Sequence, residues 1–164
     1  MLAAVLALSI SHPARALDID RSMQGDWMVV SAVMAHPPDR INAVLAKHGE
    51  TMRLGRGVRS VEVVPGQDGC AHLTVRNRGF ARDLSYTAER CPVEHGWHSR
   101  MIHSEDFEDH QVIWTTEPEG QGSRVTIQVK VQLYVPVPGF LVRQVVGGAL
   151  EDTLEKMDVL LRAE

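Results

Sequence analysis

The chain has 164 residues, of which 44% are hydrophobic and 23% are charged. This length and composition are typical of one globular domain with a single core, and no second domain is needed to explain them. The formal net charge of -4 and the scattered basic residues argue against a nucleic-acid partner, which requires a basic stripe on the surface.

The first predicted element is an export signal. Residues 2–10 form an apolar run too short to span a bilayer, and the A-x-A cleavage pattern follows at residues 14–16. No basic residue precedes the run, so a buried helical start to the domain stays open as the alternative. We expect residues 1–16 to be a signal peptide, residues 17–164 to be the mature domain, and the protein to be periplasmic or secreted.

One strand and two short helices come next. Residues 27–35 are apolar on both sides and predict a strand that is buried between layers or that pairs with the long last strand. Two prolines end this strand and open a helix in which Ile41, Val44, Leu45 and His48 recur at helical spacing. We expect Gly49 to end that helix and a second short helical turn to follow at residues 51–54.

Alternating apolar and polar residues predict six further strands, with turn residues between them. These strands are expected at residues 60–64, 71–77, 83–90, 97–103, 111–117 and 124–134. The last of them alternates without a fault, so its apolar side must cover an apolar layer.

The two cysteines are predicted to face each other across a hairpin. If Asn77 lies opposite Leu84, the apolar sides of the two strands coincide and Cys70 falls opposite Cys91 on the outer face. Directly opposed residues have β-carbons about 4.5–5.5 Å apart, which is close to disulfide range. We expect a disulfide between Cys70 and Cys91 in an oxidising compartment; two unlinked thiols in a reducing compartment are the alternative.

A break at residues 135–139 leads into an amphipathic helix from about Phe140 to about Arg162. Its apolar residues follow steps of three and four, so one stripe faces the sheet. Gly147 and Gly148 within the helix each cost about 1 kcal/mol relative to alanine. Their presence indicates that a ligand or the backbone of the sheet comes close at this point.

Several of these segments resemble the START-like, or SRPBCC, superfamily, which includes Bet v 1-type and polyketide cyclase/lipid-transport domains. The resemblance covers residues 26–162 and rests on residues 35–41 after the first strand, residues 57–64, residues 122–126 and residues 135–140 before the last helix. It implies an α+β helix-grip fold, in which a seven-stranded antiparallel sheet (β-α-α-β6-α) wraps around a long C-terminal helix and encloses a hydrophobic pocket. Members bind lipids, sterols, quinones, polyketides or plant hormones and a minority are enzymes, so the family alone does not define the activity.

Two histidines are candidates for polar groups in that pocket. If residues 104–109 form a six-residue loop, His103 lies opposite His110, and both side chains point inward. Such a pair at the mouth of an apolar cavity is able to bind a metal, to orient a polar ligand group, or to act as general acid and base. Structural or rim histidines are the simpler interpretation, and we expect no metal, no cofactor and no catalytic residue.

The predicted ligand-binding residues come from the inward faces of the strands and of the last helix. They are Tyr86, Met101, His103, His110, Val112, Trp114, Val129, Val131, Leu133, Phe140, Val146, Leu150 and Leu154.

These features predict a small exported domain that carries or senses an apolar, lipid-like molecule such as a sterol, hopanoid, quinone or fatty acid. Apolar residues beside the predicted mouth, Val135, Val137, Phe140 and Leu141, are able to touch a membrane transiently, although an ordinary hydrophobic staple at the helix start explains them equally well. We expect a monomer. The alternatives are a cyclase-, dehydratase- or hydrolase-type enzyme that uses the same pocket, and an accessory protein with a collapsed core and no ligand.

Overall fold

The computed structural model describes residues 16–79 and 81–163. In this part of the chain, eight strands form one antiparallel sheet in the order β1-β2-β8-β7-β6-β5-β4-β3. The strands are β1 Ile19–Gln24, β2 Trp27–Met34, β3 Val58–Pro65, β4 Ala71–Asn77, β5 Leu84–Val93, β6 Gly96–His103, β7 Phe107–Glu119 and β8 Gly122–Leu133. The helices are α1 Pro38–Leu45, α2 His48–Arg53 and α3 Gly139–Ala163. The predicted α+β helix-grip fold is confirmed, with one strand more than expected. None of the described helices is long and apolar enough to cross a membrane.

The additional strand, β1, carries no pattern that would mark it in the sequence. Five of its six residues are exposed, so apolar and polar side chains do not alternate along it. Gly25 has a φ of 59°, which suits the tight turn that pairs β1 with β2 over its whole length. Most of the predicted signal peptide, residues 1–15, lies outside the described residues.

The hairpin of β4 and β5 has the predicted register, with Asn77 opposite Leu84. Cys70 and Cys91 continue this register. Their Cα atoms are 4.1 Å apart and their sulfurs form a disulfide, which confirms the predicted pairing. The bridge leaves neither sulfur free to bind a metal ion together with the neighbouring Glu89.

The predicted register between β6 and β7 is wrong by two residues. Trp97 lies opposite Trp114 and not opposite Thr116. The reason is the loop, which is shorter than the six residues expected because β7 already begins at Phe107.

His103 and His110 therefore do not face each other. The pairing of β6 with β5 contains an irregularity at which His103 aligns with Thr87 and Met101 with Ala88. This bulge turns His103 to the outer face, where its side chain is exposed. His110 lies opposite Val131 of β8 and points inward.

Two hydrophobic cores lie on the inward face of the sheet. The helix-side core consists of Met28, Val30, Ala32, Met34, Ile41, Val44, Leu45, Trp114, Val125, Ile127, Val129, Leu154, Met157 and Leu161. The hairpin core consists of Val61, Ala71, Leu73, Val75, Tyr86, Ala88 and Phe107. Because each fully buried side chain of this size contributes about 1.5–3 kcal/mol, the helix-side core anchors α3 firmly where it makes contact.

A buried arginine joins α1 and α2 to the sheet. Arg90 of β5 donates from Nη1 to the carbonyl of Leu45, the last residue of α1, and the same nitrogen lies 2.8 Å from Nδ1 of His48 in α2. The guanidinium also lies 5.0 Å from the ring centroid of Trp97. Burial lowers the pKa of Arg90 to about 10, so the group is charged at neutral pH. These contacts hold α2 beside the inward face of the sheet.

Candidate functional site: a cavity beneath the C-terminal helix

A cavity of about 280 Å³ lies between the inward face of the sheet and the first half of α3, residues 139–150. The second half of the helix, residues 151–163, closes the helix-side core. The lining of the cavity consists of Thr51, Met52, Gly55, Arg56, Val58, Asn77, Tyr86, Phe107, His110, Val112, Trp114, Ile127, Val129, Val131, Val145, Val146, Ala149, Leu150 and Thr153. Most of these side chains are apolar, as in sites that bind apolar small molecules.

The sheet wall of the cavity follows from strand alternation. Every second residue from His110 to Trp114 in β7 and from Ile127 to Val131 in β8 points inward. α3 contributes residues spaced three and four apart, which share one face of a helix. The inward-facing residues of the strands and of α3 therefore line the same space and form a continuous apolar wall.

Eight of the predicted ligand-binding residues lie on this wall. They are Tyr86, His110, Val112, Trp114, Val129, Val131, Val146 and Leu150. The other five lie elsewhere. Leu154 is fully buried in the helix-side core, Met101 and Leu133 pack against the hairpin core, and Phe140 is 60% exposed. His103 is exposed on the outer face of the sheet.

The sequence patterns did not predict the wall formed by α2 and by two strand ends. Thr51 and Met52 line the cavity from α2, and Asn77 and Phe107 line it from β4 and β7. Phe107 belongs to a segment predicted to be a loop. A large aromatic residue in an otherwise acidic, solvent-facing segment was the signal that pointed to burial there.

His110 is the imidazole on the cavity wall. Its ring stacks on Tyr86 at a centroid distance of 4.3 Å and meets the edge of Phe107 at 5.4 Å. Burial lowers the pKa of His110 to about 4, so the ring is neutral at pH 7. Burial also raises the pKa of Tyr86 far above its usual range, and the Tyr86 hydroxyl is hydrogen-bonded to the side chain of Asn77.

The acidic residues near His110 are engaged outside the cavity. The buried carboxylate of Asp106 accepts a hydrogen bond from the backbone N–H of Ser85 at 2.8 Å and another from Arg82. Asp109 forms an ion pair with Lys130 at 2.9 Å. With one histidine and no carboxylate or cysteine, the described lining does not supply the ligand set of a metal site.

The cavity opens to the surface beside the first half of α3. A depression of about 530 Å³ lies between Arg56, Gly57 and Arg78 on one side and Val145 and Ala149 of α3 on the other. Because Arg56, Val145 and Ala149 also line the cavity, we call this depression the entrance. Residues 55–57 border this entrance.

A second open space lies on the other side of the same helix segment. A groove of about 510 Å³ separates the start of α3 from the β1–β2 turn at Gly25 and from the end of β8 at Leu133. The first half of α3 therefore has open space on both flanks.

The two glycines inside α3 have a different explanation from the predicted one. A side chain at Gly147 would lie 2.5 Å from the guanidinium carbon of Arg21, which crosses the helix there and pairs with Glu151 at 2.6 Å. Gly148 has nothing within 4 Å of the position of a Cβ atom. Neither glycine lines the cavity, and the atoms nearest to a side chain at Gly147 belong to an arginine of the unexpected strand β1.

A family model described as "Polyketide cyclase / dehydrase and lipid transport" matches residues 34–158. The match extends from the last residue of β2 through most of α3. No curated protein sequence matches the chain.

Solved structures of low sequence identity share the fold. A START superfamily protein from Mycobacterium smegmatis is 13% identical over 84% of this chain and 97% of its own, with a TM-score of 0.73. A STAR-related lipid transfer protein from Xanthomonas axonopodis is 16% identical over 93% and 97%, with a TM-score of 0.65. The Zhui aromatase/cyclase from Streptomyces sp. R1128 is 11% identical over 89% and 93%, with a TM-score of 0.62. At these identities the likeness concerns the fold.

Proposed function

The chain belongs to the polyketide cyclase/dehydrase and lipid transport family, and on this premise we propose that it is an exported monomer that carries or senses a hydrophobic, lipid-like small molecule. The observation that supports the proposal best is the apolar cavity beneath the first half of α3, with an entrance beside it. Unfilled space inside a protein lowers stability because the wall atoms lack contacts. A ligand that fills this space supplies those contacts.

The size of the cavity constrains the ligand. Ligand pockets of proteins usually measure about 300–1,000 Å³, and this cavity, at about 280 Å³, lies just below that range. A slender chain fits with little change. A rigid ring system of sterol size requires the first half of α3 to move outward, and the open space on both of its flanks permits this motion.

Export is part of the proposal for two reasons. Residues 2–16 have the apolar run and the A-x-A pattern of a signal peptide. The disulfide between Cys70 and Cys91 is compatible with an oxidising compartment such as the periplasm. A carrier in such a compartment has to shield its apolar cargo from water.

Loading at a membrane completes the proposal. Val135, Val137, Phe140 and Leu141 are exposed at the start of α3, and the exposed Arg143 lies one helical turn after Phe140. Exposed apolar residues flanked by a cation are typical of surfaces that touch lipid headgroups and acyl chains. A transient contact of this kind would bring the start of α3 to the source of the ligand.

Binding is tested with an uncharged fluorescent apolar probe, Nile red, and with a matched pair of variants. Ala149→Phe places a ring in the cavity, whereas Ala43→Phe places the same ring on the exposed face of α1. We expect the wild type and Ala43→Phe to bind the probe and Ala149→Phe to lose at least tenfold in affinity. Equal affinity in the two variants would show that the probe binds elsewhere.

The natural ligand is sought by purifying the protein from its host and analysing the organic extract by mass spectrometry. Recovery of one apolar species, absent from the Ala149→Phe extract, supports carriage. An empty protein that also fails to bind Nile red would leave the accessory-protein alternative in place.

A second candidate function is catalysis in the same cavity, because the His110 ring lies on its wall against Tyr86. Conversion of the extracted species by the purified protein, lost in His110→Phe and retained in His103→Phe, would favour an enzyme. Return of the species unchanged would favour the carrier. His103→Phe is a suitable control because His103 is exposed on the opposite face of the sheet.

A further inference from the structure

The polar groups of the cavity differ in whether they have partners within the protein. Thr51 donates from Oγ1 to the carbonyl of Val44 at 2.9 Å, and Thr153 donates from Oγ1 to the carbonyl of Ala149 at 2.8 Å. The hydroxyl of Tyr86 is hydrogen-bonded to the side chain of Asn77. Arg56 forms an ion pair with Asp152 at 3.6 Å at the entrance. These groups would gain little from a hydrogen bond to a ligand.

The imidazole of His110 differs from these groups in its hydrogen-bond partners. Among the described residues it has ring contacts with Tyr86 and Phe107 and a hydrogen bond to its own backbone, and no other side chain donates to it or accepts from it. A neutral imidazole carries one N–H donor and one acceptor nitrogen. A buried polar group of this kind gains free energy from a hydrogen-bond partner, and the cavity is the space from which a partner can come.

We propose that the cavity selects an uncharged apolar ligand that carries a hydroxyl or carbonyl oxygen, and that His110 is the specificity-determining residue that hydrogen-bonds this oxygen. The proposal deepens the carrier function proposed above and rests on it. A hydroxyl donates to the ring nitrogen that faces the cavity when that nitrogen is the acceptor, and a hydroxyl or carbonyl accepts from it in the tautomer that carries the N–H there, so the neutral ring serves both groups.

The surroundings of His110 disfavour a charged group on the ligand. Burial keeps the ring neutral at physiological pH, so it offers no positive charge to a carboxylate. The nearby Asp109 lies on the outer face in its ion pair with Lys130. Burying an unpaired charge is far more costly than burying a hydrogen-bonded hydroxyl. An ionised fatty acid would therefore keep its carboxylate at the entrance, near Arg56 and Arg78.

The test compares four probes of equal chain length: a linear alcohol, the methyl ketone, the alkane and the carboxylate. Their affinities are measured by displacement of Nile red from the wild type. We expect the alcohol and the ketone to bind about 2- to 10-fold more tightly than the alkane, as one net hydrogen bond provides. We expect the carboxylate at pH 7 to bind more weakly than the alcohol.

Three variants assign the preference to His110. His110→Phe keeps an aromatic ring against Tyr86 but removes both nitrogens, so the ratio of alcohol to alkane affinity should fall to about one. His110→Gln keeps a neutral donor and acceptor and should retain part of the preference. His103→Phe, on the outer face, should leave the ratio unchanged.

A spectroscopic readout uses the wild type alone and does not depend on the folding of a variant. The ring nitrogen resonances of His110 in ¹⁵N-labelled protein should shift when the alcohol is added and should shift much less with the alkane. Equal affinities for alcohol and alkane, a preference that survives His110→Phe, or a carboxylate that binds tightest would each overturn this inference. If no probe binds at all, the proposed function fails as well, whereas unselective binding leaves that function standing.

Discussion

The two halves of α3 continue one apolar stripe but have opposite surroundings. In the second half, Leu154, Met157 and Leu161 are fully buried in the helix-side core. In the first half, Val146 and Leu150 of the same stripe are only partly buried and line the cavity, and elsewhere on this segment Phe140 and Val145 are 60% and 70% exposed. The apolar pattern of a helix shows which residues share a face, whereas burial depends on what lies opposite that face.

This difference suits two tasks. The second half holds the helix on the sheet, and the first half covers a space that a ligand has to enter. A segment with few buried contacts opens at a low cost in free energy, which is the property that access to a cavity requires.

The largest expected difference is in stability. Leu154→Ala removes a fully buried side chain and should lower the free energy of unfolding by about 2–5 kcal/mol. Val145→Ala removes an exposed one and should change it by less than about 0.5 kcal/mol. Urea denaturation measures both. Comparable losses in the two variants would contradict the comparison.

His110, in the cavity wall beneath the first half of α3, should make the free energy of unfolding depend on pH. In the unfolded chain the imidazole binds a proton as the pH falls below about 6.5, but the native ring resists protonation until its pKa of about 4. Between about pH 6.5 and pH 4 the unfolded state therefore binds more protons than the native state. The free energy of unfolding decreases as the pH decreases, and the total loss is roughly 3 kcal/mol once the pH is below 4.

His110→Phe should remove this part of the pH dependence, and His103→Phe should not. Urea denaturation at a series of pH values measures it. The pKa of His48 is also lowered, by burial and by the charge of Arg90. His48 should therefore cause a further loss of stability as the pH falls, in the wild type and in both variants. A profile that is identical in His110→Phe and the wild type would contradict the placement of this ring in the interior.

The two adjacent glycines of the first half should respond differently to alanine. Gly148→Ala meets open space and should stabilise the protein by about 0.5–1 kcal/mol through the higher helix propensity of alanine. Gly147→Ala gains the same propensity but pushes the Arg21 guanidinium away from Glu151, so its gain should be smaller. Thermal denaturation of the two variants decides the order, and a larger gain at Gly147 would be the contrary result.

The smallest effect is expected for Arg21→Ala. The ion pair with Glu151 is partly exposed, and such pairs contribute about 0–1 kcal/mol to stability. The pair links β1 to the junction of the two halves, so its loss should speed amide hydrogen exchange in the first half and leave the second half unchanged. Uniformly faster exchange along α3 would show that the halves are not independent.

Local periodicity predicted a large part of the fold. Alternation in β4 and β5 gave their register, and the register in turn placed Cys70 opposite Cys91. The same kind of pattern in β5, β7, β8 and α3 identified eight residues of the cavity wall. These inferences succeeded because the period of a strand or helix assigns side chains to faces without reference to the rest of the chain.

Other features had no local signal. β1 is exposed and held by backbone pairing, so it has no apolar pattern. The position of His103 depended on a bulge and on a loop length that the sequence left open. A single extra residue at such a bulge moves a side chain from one face of the sheet to the other.

The sequence by itself determined which residues share a face, and with that the disulfide and most of the sheet wall of the cavity, while its resemblance to a known family implied the helix-grip architecture. Only the tertiary structure decided that the second half of α3 meets a core and the first half meets a cavity, that Arg21 crosses Gly147, and that His110 lies inside without His103. The physical reason is that hydrophobic periodicity acts within one element, whereas burial, bulges and ion pairs arise from elements far apart in the chain.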